Sequence, residues 1–319
     1  MSGIRGMLAL AAVVAATATH AQGFPSKTIR LISPFPPGGG NDTMCRTIQP
    51  KLSELLGQPV IVDNRGGANT IIGTEALAHA APDGYTIELV PNVHAINPAL
   101  YAKLPYDPIK DFTPITLVGE SPQIVTVHPS LPARTINALL ALARHRPGEV
   151  QYGSSGIGSV GQMAVVQLEQ MTGTKFLHVP YRGTAPMLID VINGQLMFTF
   201  ASALGVMPHI SSGRLRAIAT TSAKRSPALT QVPTVAESVA GYSFILWYGV
   251  IAPAGVPQEV VRRLNTDIGK VLNDPGVRSS LAQQGVEASP TTAKEFGDLI
   301  ASDLKKYALL VRQSGLKAQ

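Results

Sequence analysis

Two glycine-rich stretches carry the strongest chemical signal in the chain: Pro36-Pro37-Gly38-Gly39-Gly40-Asn41-Asp42 and Gly153-Ser154-Ser155-Gly156-Ile157-Gly158-Ser159. Each follows a short apolar run and precedes a helical pattern, one in each half of the chain. A glycine-rich turn at a helix start leaves backbone N–H groups unpaired and adds the positive end of the helix dipole. A carboxylate or phosphate is then held without any charged side chain. Two such turns make a two-sided grip on a small anion. The polar turns Asp63-Asn64-Arg65-Gly66-Gly67-Ala68-Asn69-Thr70 and Val179-Pro180-Tyr181-Arg182-Gly183-Thr184-Ala185-Pro186 each follow a strand-like run. That places them at the carboxyl edge of a parallel sheet, where ligands collect. Asn69, Thr70, Tyr181 and Thr184 offer hydrogen bonds there, whereas Arg65 reads more readily as an ion-pair partner of Asp63 or Asp42.

Other chemistries find less support. Gly156-Ile157-Gly158-Ser159-Val160-Gly161 matches the GxGxxG pattern, but a dinucleotide site also wants an acid about 20 positions on, at the end of the next strand. Here that strand ends His178-Val179-Pro180-Tyr181, and no GK[ST] completes a P-loop. No GxSxG surrounds Ser154, Ser155 or Ser159, and the histidines from His79 to His209 show no triad pattern. His94 and His178 read as pocket walls rather than catalysts. Without HExxH or paired cysteines, neither a metal nor another cofactor is expected. The chain reads first as a protein that captures a small anion and only second as an enzyme.

The elements that must position these turns follow from periodicity. Strand-like runs at Ile29–Ser33, Pro59–Asp63, Tyr85–Val90, Val150–Gly153, Phe176–Val179, Leu196–Phe200 and Leu215–Thr220 alternate with helical patterns. Such alternation predicts parallel sheets covered by helices. Met44, Ile48, Leu52 and Leu55 recur at helical spacing up to Gly57, with a kink expected at Pro50; Val160, Ala164, Leu168 and Met171 do the same up to Gly173. The run Ile115–Val118 with Ile124–Val127, and the later run Phe244–Ala252, predict strands that leave one domain and return to it. The C-terminal third reads as helical, with Pro257 in a first turn and Thr292-Ala293-Lys294-Glu295 as a capping box.

Composition sets the bounds. A chain of 319 residues, 45% apolar and 14% charged, suits about two domains with real cores. The formal charge of +6 is scattered, and 5% aromatic residues leave few stacking platforms, so neither nucleic acid nor a polybasic membrane contact is expected. Arg5, the apolar run Met7–Ala18 and the small residues before Ala21 have the order of a secretory signal peptide, cleaved after Ala21. The single Cys45 reads as a buried residue of the first helix.

Many segments together resemble one family, the extracytoplasmic solute receptors of tripartite tricarboxylate transporters, the Bug-type binding proteins. They include Pro34 to Asp42, Asp63-Asn64-Arg65, Ala81-Pro82-Asp83-Gly84-Tyr85-Thr86, Asn97 to Pro108, Asp111-Phe112-Thr113-Pro114, Tyr152 to Gly156, His178 to Gly183, Val232-Pro233-Thr234 and Ala252-Pro253. The resemblance implies an α/β, two-lobed Venus-flytrap fold, type II-like, with mixed or parallel sheets and helices on both faces. It divides the chain into a signal peptide over 1–21, lobe 1 over 22–120, lobe 2 over 121–245, and a return strand with C-terminal helices over 246–319 that completes lobe 1. It also implies a monomeric periplasmic receptor for a small carboxylate, no catalysis, no cofactor, and membrane permease subunits as partners. A signalling subunit or a secreted enzyme are the alternatives. Carried over by motif, the substrate-binding residues are Phe35, Gly38, Gly39, Gly40, Asn41 and Asp42 in the first grip and Ser154, Ser155, Gly158 and Ser159 in the second. Ala68, Asn69, Thr70, Tyr181, Gly183 and Thr184 form the walls. Two departures stand out: Asn41 replaces a helix-cap hydroxyl, and Met197 and Ala201 stand where members commonly carry aspartates. An ammonium-bearing ligand is therefore disfavoured.

Overall fold

The computed structural model describes residues 23–316 apart from 226–228; the expected signal peptide lies outside the described residues. Strands β1 (Ile29–Ser33), β2 (Val60–Asn64) and β3 (Thr86–Pro91) alternate with helices α1 (Gly40–Leu56), α2 (Ile71–Ala78) and α3 (Val93–Leu100). β1 lies between β2 and β3 and is parallel to both. All of β1 except Arg30 is buried, as expected of a strand covered by helices on both faces. α1 buries Met44, Cys45, Ile48, Leu52 and Leu56 and ends at Gly57, whose φ of 66° supplies the left-handed cap. The helix runs unbroken through Pro50.

The long strand β4 (Phe112–Val127) absorbs both apolar runs of the middle of the chain. Its first part pairs antiparallel with the return strand β9 (Ile245–Pro253) and with the short β10 (Glu287–Ala288). From Gln123 onward it pairs instead with β7 (Phe198–Ser202) and β8 (Arg216–Thr220). One strand thus joins two mixed sheets. In the second sheet, β5 (Gln151–Ser154) is parallel to β6 (Leu177–Pro180) and β7. The helices between these strands are α4 (Ile136–His145), α5 (Val160–Thr172), α6 (Thr184–Ile192) and α7 (Ala203–Ser211). β9 leads back through α8 (Gln258–Asn273) and α9 (Pro275–Gln283) to α10 (Ala293–Ser314). Thr292 opens α10 with the expected capping box, but Pro257 stands at the cap of α8 rather than inside its first turn.

Packing ties the two sheets to a common spine. α10 packs on α3, β4 and α5. Tyr307 on α10 accepts from Asn92 Nδ2 at 2.8 Å, and Gln170 on α5 donates to the Leu310 carbonyl at 3.0 Å. Trp247 on β9 donates to Asp303 at 2.7 Å while its ring meets Phe296 edge-on at 5.5 Å. Gly249 is what lets Phe296 sit there: a Cβ on Gly249 would fall 2.0 Å from the ring. Gly249→Ala is therefore expected to lower stability by about 1–3 kcal/mol through overpacking. Adding Phe296→Leu to that variant should recover part of the loss in a urea titration. An unchanged midpoint for Gly249→Ala would contradict the packing described.

Candidate functional site

A cavity of about 700 Å³ opens where the carboxyl edges of both sheets meet. The β1–α1 turn lines it from Phe35 to Asn41, joined by Asn69. The second half contributes Ser155 and Ser159 to Gly161, the start of α6 from Arg182 to Leu188, and the β7–α7 turn from Phe200 to Ser202. Gln123, Leu246 and Tyr248 come from the strands that join the halves.

Helix N-termini converge on this space. Gly39, Ser159, Gly183 and Ser202, the caps of α1, α5, α6 and α7, all line it. Among the described residues no side chain caps α1, α6 or α7. Their first-turn N–H groups are thus free for a ligand, and each nearby helix end favours an anion by ~0.3–1 kcal/mol, more when partly buried. Among the described residues the only charged one in the lining is Arg182, which is exposed, and no carboxylate side chain takes part. The site is electropositive mainly through its backbone.

Several expected site residues have their polar side-chain groups committed to the fold, and of these only Asn41 also lines the cavity. Asp42 is buried, and its carboxylate accepts from Gly38 N at 2.9 Å, Arg46 Nε at 3.0 Å and Asn64 Nδ2 at 2.9 Å. Those donors hold its carboxyl below the usual range against the opposing effect of burial. It fixes the glycine turn and has no face toward the cavity lining. Asn41 does not act as a helix cap, since Gly39 holds that position. Its amide accepts from Ser33 Oγ at 2.8 Å and donates to the Leu89 carbonyl at 3.0 Å, pinning α1 to the sheet. The Tyr181 hydroxyl donates to Asp190, outside the lining. Arg65 pairs with Asp63 at 2.8 Å.

Ala68, Asn69 and Thr70 form a strained step into α2, with φ of 45°, 52° and 77°. A β-branched residue in this region is an outlier, and each such residue costs of order 1–3 kcal/mol. Asn97 holds the step: its Nδ2 donates to the Asn69 carbonyl at 2.7 Å and to Thr70 Oγ1 at 3.3 Å, while Asn69 Nδ2 donates to Asn97 Oδ1 at 2.7 Å. Of the three, Asn69 alone reaches the cavity lining. Opposite it stands Gly158, where a Cβ would meet Asn69 Nδ2 at 3.3 Å and Leu100 Cδ1 at 2.2 Å. Gly158 is thus a contact between the halves, not a wall of the cavity.

Ser154 and His178 come within 2.6 Å of each other, an arrangement that invites a hydrolase reading. The network around them argues otherwise. Gln162 Oε1 accepts the Gly158 N–H at 2.6 Å, which turns its NH2 toward His178 Nδ1 at 3.0 Å. Nδ1 must then accept, so the ring proton sits on Nε2 and is donated to Ser154 Oγ. Ser154 Oγ in turn donates a hydrogen bond to the Gly156 carbonyl at 2.9 Å. Burial pushes His178 down to about 4, so the ring is neutral near pH 7. In this tautomer it cannot take a proton from Ser154. No cluster of potential metal ligands occurs among the described residues. Cys45 is buried, with its thiol pushed up by burial, and takes no part.

A family model described as the tripartite tricarboxylate transporter family receptor matches residues 44–316. BugT of Bordetella pertussis is 34% identical over 98% of this chain and 98% of its own. Among solved structures, R. palustris Rpa4515 with adipate superposes with a TM-score of 0.85 at 33% identity, covering 92% of this chain and 99% of that one. The periplasmic binding protein BugD gives 0.82 at 30% identity, over 93% of this chain and 100% of that one.

Proposed function

Because the chain belongs to the tripartite tricarboxylate transporter receptor family, we propose that it is a periplasmic receptor that captures one small carboxylate and delivers it to membrane permease subunits. Solute receptors of this family bind their ligands without transforming them. The observation that carries the reading is the convergence of uncapped helix N-termini on a cavity that no carboxylate side chain lines among the described residues. That environment stabilises a negative charge and leaves an ammonium without a counter-ion. Ala201 lines the cavity and Met197 lies outside the lining, so neither departure from the family pattern supplies an acid. We assign residues 22–120 and 246–319 to one lobe and 121–245 to the other, a division supported by the switch of β4 from one sheet to the next near Gln123. Phe35, Gly38, Gly39, Gly40 and Asn41 then grip from one side, and Ser155, Ser159, Gly183 and Thr184 from the other.

The ligand class that fits is a dicarboxylate or tricarboxylate, or an aromatic or hydroxy acid. A thermal-shift screen over such acids beside aspartate and glutamate tests this. A true ligand at a hundred times its dissociation constant should stabilise the protein by about 2.7 kcal/mol. The amino acids should stabilise it less than the non-amino acids of similar size. A clear preference for an amino acid would overturn the ligand class, and stabilisation by no carboxylate at all would overturn the receptor reading.

A further inference from the structure

One buried amide in the cavity is left without a partner. Gln123 is 3% exposed and lines the cavity, yet its Nε2 makes no hydrogen bond among the described residues. Its backbone is fixed: the N–H donates to Thr221 Oγ1 at 2.8 Å and the carbonyl accepts from Thr221 N at 2.9 Å. A buried donor of this kind is costly unless something satisfies it. In the β4–β7 ladder Gln123 stands directly opposite Ser202. Ser202 is the cap residue of α7, and its side chain does not cap that helix. The orphaned amide and the open start of α7 therefore occupy the same stretch of cavity wall, apart in sequence from either glycine-rich turn.

We infer that Gln123, Ser202 and the start of α7 form a second acceptor subsite, which binds the far carboxylate of a two-ended acid. This rests on the receptor reading and narrows it from acids in general to dicarboxylates. The neighbouring wall explains why one end is not enough. Phe200, Ala201 and Leu246 give the ligand's middle an apolar bed, so a chain or ring fits between two oxygen-binding ends. Gln123 contributes two amide donors and α7 its free N–H groups, and neither offers an ammonium a counter-ion.

The test uses calorimetry on acids paired by length: succinate with butanoate, adipate with hexanoate, terephthalate with benzoate. The parent protein should bind at least one dicarboxylate ten or more times tighter than its one-ended counterpart, on the order of 1.4 kcal/mol. Gln123→Leu should remove most of that difference by weakening the dicarboxylate alone. Gln123→Glu places a carboxylate beside α7 and should reverse the preference toward 6-aminohexanoate over adipate. Ser202→Ala, at a partly exposed position, should weaken the dicarboxylate with little effect on folding. Equal binding of both members of every pair would overturn the subsite while leaving the receptor reading standing. So would an equal loss for both members in Gln123→Leu and Ser202→Ala. Binding of none of these acids, or of any other carboxylate, would overturn the receptor reading and the subsite with it.

Discussion

A Gly39→Asp variant is expected to fold at least as well as the parent and to lose carboxylate binding by a hundredfold or more, about 2.7 kcal/mol. Gly39 caps α1 with φ −79° and ψ 169°, a conformation open to any residue. A Cβ there would meet only the Pro36 carbonyl oxygen, at an ordinary 3.6 Å. Aspartate is among the preferred cap residues, and its carboxylate would take the α1 N–H groups that glycine leaves free. The helix would gain a cap, and the site would gain an internal competitor of the ligand's own charge. Gly39→Asn, a neutral cap, should fall between the two. The instructive contrast is Gly158→Ala. With φ of 77° and Leu100 Cδ1 2.2 Å from the new Cβ, that substitution strains the turn and pushes the halves apart. It should weaken binding while enlarging the radius of gyration in scattering, which Gly39→Asp should leave unchanged. Undiminished affinity in Gly39→Asp would remove the α1 terminus from the site.

What could be read in advance was whatever rests on local chemistry. Gly57 and Gly173 end helices because their φ of 66° is strained for other residues, and Thr292 and Glu295 announce α10 through a reciprocal bond spanning four residues. The two glycine turns were legible for the same reason. Side-chain direction was not. Asp42 stands in the right turn yet faces Arg46, one turn on in α1, and Asn64, which only the folded arrangement of β2 against α1 brings near. Gln123 carries no motif at all; it matters because β4 changes sheets there and leaves its amide buried. The GxGxxG match shows the limit from the other side. Gly158 faces Leu100 of the other half, and Gly161 lets the Phe200 carbonyl oxygen come within 2.2 Å of where a Cβ would sit. Close backbone approach accounts for these glycines without a nucleotide.

Stability should pass through a maximum near pH 6.5, and Glu88→Gln should remove its alkaline side. Glu88 is wholly buried on β3; Thr74 Oγ1 donates to its Oε1 at 2.9 Å, and Oε2 has no partner among the described residues. Burial pushes its carboxyl from 4.5 up to about 8. Between those values the folded protein holds a proton that the unfolded chain has released. Its contribution is therefore complete below about 4.5 and is lost as pH rises through 8. His94 and His178 act in the opposite sense. Burial pushes both from 6.5 down to about 4, so the unfolded chain binds their protons first and stability grows as pH rises toward 6.5. Burial also lowers His209 and raises Glu120 and Glu169, but of the raised carboxyls Glu88 is the one carried to about 8, so the histidines dominate below 6.5 and Glu88 above it. From pH 6.5 to 8 the parent should lose about 2 kcal/mol at ~1.4 kcal/mol per pH unit. Glu88→Gln keeps an oxygen for Thr74 and has nothing to ionise, so its urea midpoint should stay level over the same interval. The histidine limb below pH 6.5 should survive in that variant. If Glu88→Gln kept the parent's alkaline slope, the titrating group would lie elsewhere and Glu88 would not be the carboxyl that holds its proton in the fold.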